Sequence, residues 1–280
     1  MLWKRLFPLV FAFGLFGCTT KLIYSNLDWI VIDHIEDYVS LTSDQEDIIE
    51  LSVQKLSDWH RSEELPRYIE HLNELEKMNP ETVDADYIHA QIEKFRHHAE
   101  RIIAKASPNI YALVSQLDQE QIDELMENTA KENKEFREEN NDKTEEERRE
   151  TYQERMEENL EDWIGKLTKE QKAIIKDWSQ DIKITYFDWA KHDEVMFEQL
   201  NTLFKRRDEA SYFQSTFFRI FDDPESFYTE ELKQKLEFNR QLASERIAKV
   251  INLMNDKQKA HFKEEVNDWR SIAQDLAKSD

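Results

Sequence analysis

The chain has 280 residues, 35% of them charged, and a formal net charge of -22. A surface this acidic repels phosphate backbones, which excludes nucleic acid as a partner and disfavours lying flat on anionic lipid. Glycine occurs only three times, too few for the turns and phosphate loops of β-rich or nucleotide-binding α/β folds, so an all-α fold is expected.

At the N-terminus, Met1-Leu2-Trp3-Lys4-Arg5 places two cations ahead of an apolar run from Leu6 to Phe16. That run is too short to span a bilayer, and the cations hold its flank on the cytoplasmic side, so residues 1–17 read as a signal peptide. Leu15-Phe16-Gly17-Cys18 resembles the bacterial lipobox, with Phe16 bulkier than the residue usual at its place. Cys18 is the only cysteine, which rules out an internal disulfide and leaves the thiol for acylation. Residues 18–25 then serve as a short tether within an all-helical lipoprotein domain, 18–280, held to the membrane through its N-terminal acyl chains. Thr19, rather than Asp, after the cysteine points to the outer membrane, facing the periplasm. Losing residues 1–17 removes Lys4 and Arg5 and no acid, so the charge goes from -22 to -24. Attachment is therefore expected through the acyl chains alone.

Helix-start signals recur along the rest of the chain. Leu41-Thr42 with Gln45, Leu117-Asp118 with Gln121, Leu167-Thr168 with Gln171 and Met254-Asn255 with Gln258 share one pattern. Each sets an apolar residue before an N-cap former and a glutamine three positions after the cap. The cap oxygen satisfies a backbone N–H while the glutamine reaches back to the cap's own N–H. With further starts at Asn79-Pro80 and Thr229-Glu230, the apolar spacing predicts helices over 26–39, 43–63, 66–77, 81–105, 109–116, 119–140, 144–165, 169–206, 209–221, 229–253 and 256–277. Breaks are expected at Pro66, Asn79-Pro80, Ser107-Pro108 and Asp222-Asp223-Pro224. From Lys131 to Asp162 there are 14 acids and 7 bases and no proline, which predicts two long solvated helices in a projecting hairpin. Its thin seam would be Leu125, Met126, Phe136, Tyr152, Met156, Leu160 and Trp163. The expected fold is one elongated multi-helix bundle carrying this charged hairpin.

Chemistry-bearing clusters are sparse. Di-iron bundles use Glu-x-x-His, which does not occur here; the nearest pattern is Asp86 with His89, followed on the same face by Glu93 and His97. Among 60 acidic residues a solvated polar face is the expected reading, so no metal and no cofactor are anticipated. No Ser/His/Asp arrangement is recognisable, and no enzymatic activity is expected. All six tryptophans after the signal peptide follow an aspartate: Trp29, Trp59, Trp163, Trp178, Trp189 and Trp269. Adjacent helix positions diverge by about 100°, which sends the indole inward and the acid to the wet edge. The segment from Trp59 to Tyr68 gathers Trp59, His60, Arg61, Glu64 and Tyr68 at an expected helix–helix corner. It reads either as a small polar interaction site or as a bend that Pro66 opens and Arg61, Glu64 and Tyr68 bond across. The aromatic run Tyr212-Phe213, Phe217-Phe218, Phe221 and Phe227-Tyr228 has the spacing of a buried helix.

Several of these residues carry a resemblance. Asn26-Leu27-Asp28-Trp29, Tyr38 to Thr42 with Gln45, Trp59-His60-Arg61 with Glu64-Leu65-Pro66 and Tyr68, Asn133 with Glu135-Phe136-Arg137, Arg155-Met156-Glu157 through Trp163-Ile164-Gly165, and Asp223-Pro224-Glu225 resemble an uncharacterised family of Gram-negative lipoproteins. That resemblance implies an all-helical lipoprotein and brings no assigned activity. The Leu-Thr-x-x-Gln element is also similar to the signature of small periplasmic stress chaperones, which are helical, cradle-shaped and ATP-independent. Together these features lead us to expect a non-enzymatic envelope interaction protein that binds a basic envelope partner; the alternative is a holdase-like chaperone.

Overall fold

The computed structural model describes residues 23–279, and among them every regular element is helical. Residues 1–17, expected to be a signal peptide, and Cys18 lie outside the described residues. The helices are α1 (Leu27–Glu36), α2 (Ser43–Trp59), α3 (Leu65–Glu76), α4 (Ala85–Val114), α5 (Gln119–Asn141), α6 (Glu145–Ile164), α7 (Lys169–Asp181), α8 (Tyr186–Lys205), α9 (Ala210–Asp222), α10 (Glu230–Asn252) and α11 (Asp256–Lys278). A π-helical turn, His60–Glu64, joins α2 to α3, and a 3-10 turn, Pro224–Phe227, follows α9.

The four glutamine caps form as their spacing requires. Gln45 Oε1 accepts from the Thr42 N–H at 3.0 Å, Gln121 from Asp118 at 3.1 Å, Gln171 from Thr168 at 2.9 Å and Gln258 from Asn255 at 3.2 Å. What local spacing does not announce is that the caps pair. Gln45 and Gln121 face each other and exchange hydrogen bonds at 3.1 and 2.7 Å across 76 residues of chain. Gln171 and Gln258 do the same at 3.2 and 2.8 Å across 87 residues. The amide of Gln121 also donates to the Ser40 carbonyl at 2.8 Å, and that of Gln258 to the Lys166 carbonyl at 3.0 Å, each acceptor two residues before the cap of the partner glutamine. Gln171 adds a bond to the Val250 carbonyl at 3.1 Å. All four glutamines are buried.

Each pair belongs to one of two compact units, both discontinuous in sequence. The first takes the chain up to Ser62, then Ala99–Asn141 and Tyr186–Thr229; the second takes Glu63–His98, Asp142–Thr185 and Glu230 onward. In the first, α1 packs on α2, and α8 on α5 and α9, around Val39, Leu117, Ile122, Leu203, Phe204, Phe213, Phe217 and Ile220. In the second, α11 packs on α3 and α6, and α7 on α6 and α10, around a core that includes Ile164, Ile175, Val250, Ile251, Phe262 and Val266. Gly165, the one glycine among the described residues, ends α6 at φ 71°, where a side chain would also meet the His261 ring at 3.2 Å.

Three boundaries differ from the sequence reading, each for a physical reason. At Pro66 the helical conformation is not broken, because the wide π turn before it accommodates the missing N–H and the ring. At Pro108 the helix α4 also continues, because the hydroxyl of buried Ser107 donates at 3.4 Å to the Ala104 carbonyl that proline cannot serve. The expected helix over 169–206 is instead interrupted after Asp181. There Arg149 Nη1 donates to the carbonyls of Ser179, Gln180 and Ile182 at 2.8, 2.7 and 3.2 Å, and Asn239 brackets the Lys183 peptide through both its N–H and its C=O. The seam expected between residues 119–140 and 144–165 also goes elsewhere: Leu125 and Met126 join the first core and Phe136 meets Tyr186, while Met156, Leu160 and Trp163 join the second.

The buried amide pair predicts an asymmetry between chemically similar caps. Thr144 and Glu147 form the same capping box on an exposed site. Gln171→Glu keeps the acceptor but removes the donors to Gln258 and Val250, and urea denaturation should show a loss of roughly 2–4 kcal/mol. Glu147→Gln should stay within about 0.5 kcal/mol of the parent. Equal costs for the two would refute a structural role for the pair.

Candidate functional site

The segment from Trp59 to Tyr68 includes the boundary between the two units, which falls after Ser62. On the first side, the Tyr24 hydroxyl donates to the Ser57 carbonyl at 3.2 Å and lies 3.1 Å from His60 Nδ1. The Arg61 guanidinium lies 5.5 Å from the centre of the Tyr24 ring and pairs with Asp58 at 3.1 Å, while Lys105 Nζ lies 5.6 Å from that of Trp59. Burial pushes the Tyr24 hydroxyl up to about 12, with Arg61 opposing and Asp58 adding to the shift. The expected cross-bend bonding of Arg61 with Glu64 and Tyr68 is therefore replaced by Arg61 contacts to Asp58 and Tyr24.

On the second side, Glu64 and Tyr68 join a buried polar chain that sequence reasoning did not assemble. Arg67, Tyr68, His71 and Glu74 repeat at helical spacing along α3, and Gln91, Lys94, Phe95 and His98 do so along the first part of α4. Arg67 Nη1 donates to Glu64 Oε2 at 3.0 Å, and Glu64 Oε1 lies 2.5 Å from His98 Nδ1. His98 Nε2 faces His71 Nδ1 at 3.2 Å, and His71 Nε2 lies 2.8 Å from Gln91 Oε1. Gln91 Nε2 then donates to Glu74 at 3.0 Å, and Lys94 closes the chain on Glu74. Glu64 is fully buried, whereas the end cations Arg67 and Lys94 are 44% and 41% exposed.

This geometry fixes how the groups must be protonated and oriented. The Glu74 carboxylate only accepts, so the Gln91 amide turns its NH2 toward it and its oxygen toward His71. His71 Nε2 therefore carries its hydrogen, and Nδ1 offers a lone pair to His98. A single hydrogen between the two rings completes the chain, so the arrangement can hold or pass a proton between buried imidazoles. Arg67 and Lys94 pair with the two carboxylates at the ends of this seam. Burial pushes the His71 imidazole below its ordinary value, outweighing the opposing bond to Gln91. The bond from Lys94 holds Glu74 below the usual carboxylate range.

The face that the sequence suggested for metal lies one step around the helix from this chain. Asp86 and His97 are exposed, and Glu93 lies 3.6 and 3.7 Å from Arg96 and Arg240. Among the described residues no three His, Cys, Asp or Glu side chains converge to hold a metal. His98 rather than His97 faces inward, and the signal for it was the matched spacing of Glu64, Tyr68 and His71 with Gln91, Phe95 and His98. Phe213 and Phe217, from the aromatic run of α9, are core side chains, Phe217 being only 1% exposed.

Compared with known proteins, residues 37–233 match a family described as one of unknown function. No curated protein and no solved structure matches.

The His71 shift gives a pH dependence with a definite sign. Its folded value lies below that of the unfolded chain, so its stability contribution is present above about pH 6.5 and is lost as pH falls toward the lower folded value. Urea midpoints at pH 7.5 and 5.5 should show this loss, limited to roughly 1.4 kcal/mol per pH unit for one proton. His71→Gln should shrink it; an unchanged acid loss in that variant would remove His71 as its source.

Proposed function

Because the chain belongs to DUF6279, a family of unknown function, we infer its role from its own residues: a non-enzymatic envelope protein, anchored in the outer membrane through Cys18, whose acidic helical surface binds a basic partner. The observation that carries this reading is where the cations go. Arg149 is spent on three carbonyls at the end of α7, and Arg207 on the Leu117 carbonyl at 3.1 Å. Arg270 bonds Asn73, Glu76 and Asn267, and Arg246 and Lys172 pair with Asp181 and Glu157. Carboxylates such as Glu139, Asp142, Glu146 and Glu150 stay exposed. The excess of negative charge is thus displayed outward, where it attracts a cationic surface over a Debye length of about 10 Å at 0.1 M salt. The Leu-Thr-x-x-Gln elements that suggested a holdase serve here as buried helix-starting pairs, which favours the interaction reading.

Two measurements test this. Metabolic labelling with a fatty-acid analogue should mark the protein, and Cys18→Ser should abolish the label; a wild-type protein recovered soluble in the periplasm would refute the anchor. Crosslinking in intact envelopes should capture a basic partner whose association slows sharply with added salt. Neutralising Glu139, Asp142, Glu146 and Glu150 together should slow that association several-fold with no change in helix content. Capture unaffected by either treatment would refute an electrostatic surface.

A further inference from the structure

Trp29 breaks the pattern of the Asp–Trp pairs. The other five indoles are at least half covered, but Trp29 is 65% exposed. It lies in the first turn of α1, on an outward stripe shared with Asn26, Asp33 and Glu36, so the neutral and aromatic part of that stripe is the part nearest the tether. The same end of the first unit carries Tyr24 against Arg61 and Trp59 against Lys105. Asp28 accepts from the Trp29 backbone N–H at 2.8 Å, and Asp58 pairs with Arg61.

From Cys18 to Ile23, the first described residue, the chain can reach at most about 18 Å even if fully extended. An acylated Cys18 would therefore keep this end of the unit beside the bilayer. Indole rings and tyrosines favour the headgroup layer, where one edge is apolar and the other wet, and arginine and lysine reach phosphates from the same depth. We propose that the tether-proximal end of the first unit rests in the headgroup layer of the anchoring membrane, with Trp29 as the inserted side chain and Arg61 and Lys105 at its rim. The net charge of the whole chain opposes a broad contact, and Asp33 and Glu36 confine this one to the start of α1. The proposal rests on the reading of Cys18 as a lipid anchor.

The test uses the full lipidated chain reconstituted in phosphatidylcholine vesicles whose acyl chains carry bromine either near the headgroup or near the chain end. Shallow bromine should quench tryptophan fluorescence more than deep bromine, and Trp29→Phe, a change at an exposed position, should remove most of that quenching while the protein still floats with the vesicles. Equal quenching in both proteins, or none in a wild type that floats, overturns the membrane contact and leaves the anchor standing. Crosslinking of position 29 to an envelope protein in place of lipid overturns it as well. A wild type that does not float, or a Cys18→Ser protein that floats equally well, overturns the anchor and the contact with it.

Discussion

A buried primary amide is costly unless its oxygen and its NH2 are both matched, and two such amides facing each other can satisfy much of that need themselves. Gln45 with Gln121, and Gln171 with Gln258, meet this condition while each glutamine also holds the first turn of its own helix. The glutamine cannot be replaced by glutamate, the other residue common in capping boxes, since two buried carboxylates would repel and could not donate. The exposed box at Thr144 uses Glu147, whose carboxylate accepts from the Thr144 N–H and hydroxyl at a solvent-exposed site. Each unit thus has a fixed point where two helix starts, 76 or 87 residues apart in sequence, are held in register, and the apolar faces of the same helices close the core around it.

The same rule, that polar groups inside are matched, shows at other points of the chain. Arg149 ends α7 by collecting its free carbonyls, and Ser107 covers the carbonyl that Pro108 leaves open. The seam of Glu64, His98, His71, Gln91 and Glu74 is the most heavily loaded instance. Arg67 and Lys94 pair with its carboxylates at its ends, so the second unit carries a continuous hydrogen-bonded polar chain. Cations committed in this way are matched by the groups they bond, while carboxylates such as Glu139, Asp142, Glu146 and Glu150 stay exposed. The basic partner proposed above would meet that acidic exterior.

The aspartates before the tryptophans fit part of this picture. In Asp58-Trp59, Asp162-Trp163, Asp177-Trp178 and Asp268-Trp269 the acid is exposed and the indole at least half covered, as a boundary position requires. Trp29 inverts the arrangement, with the indole outside, and it is the pair closest to Cys18 in sequence.

Sequence alone determined the helical class, most helix starts and the separation of core from solvent faces, because caps and amphipathic spacing act within four or five residues. Phe213 and Phe217 were legible as core for the same reason. What only tertiary structure decided was the outcome wherever a local signal met a distant partner. Proline failed to end α4 because Ser107 supplied a donor, and the run from Lys169 broke because Arg149 and Asn239 reached it from other helices. The candidate site divided because Trp59, His60 and Arg61 find Tyr24 and Lys105, whereas Glu64 and Tyr68 find His98. Choosing His98 over His97 takes a rotation of about 100°, which spacing along one helix cannot settle until the facing helix is known.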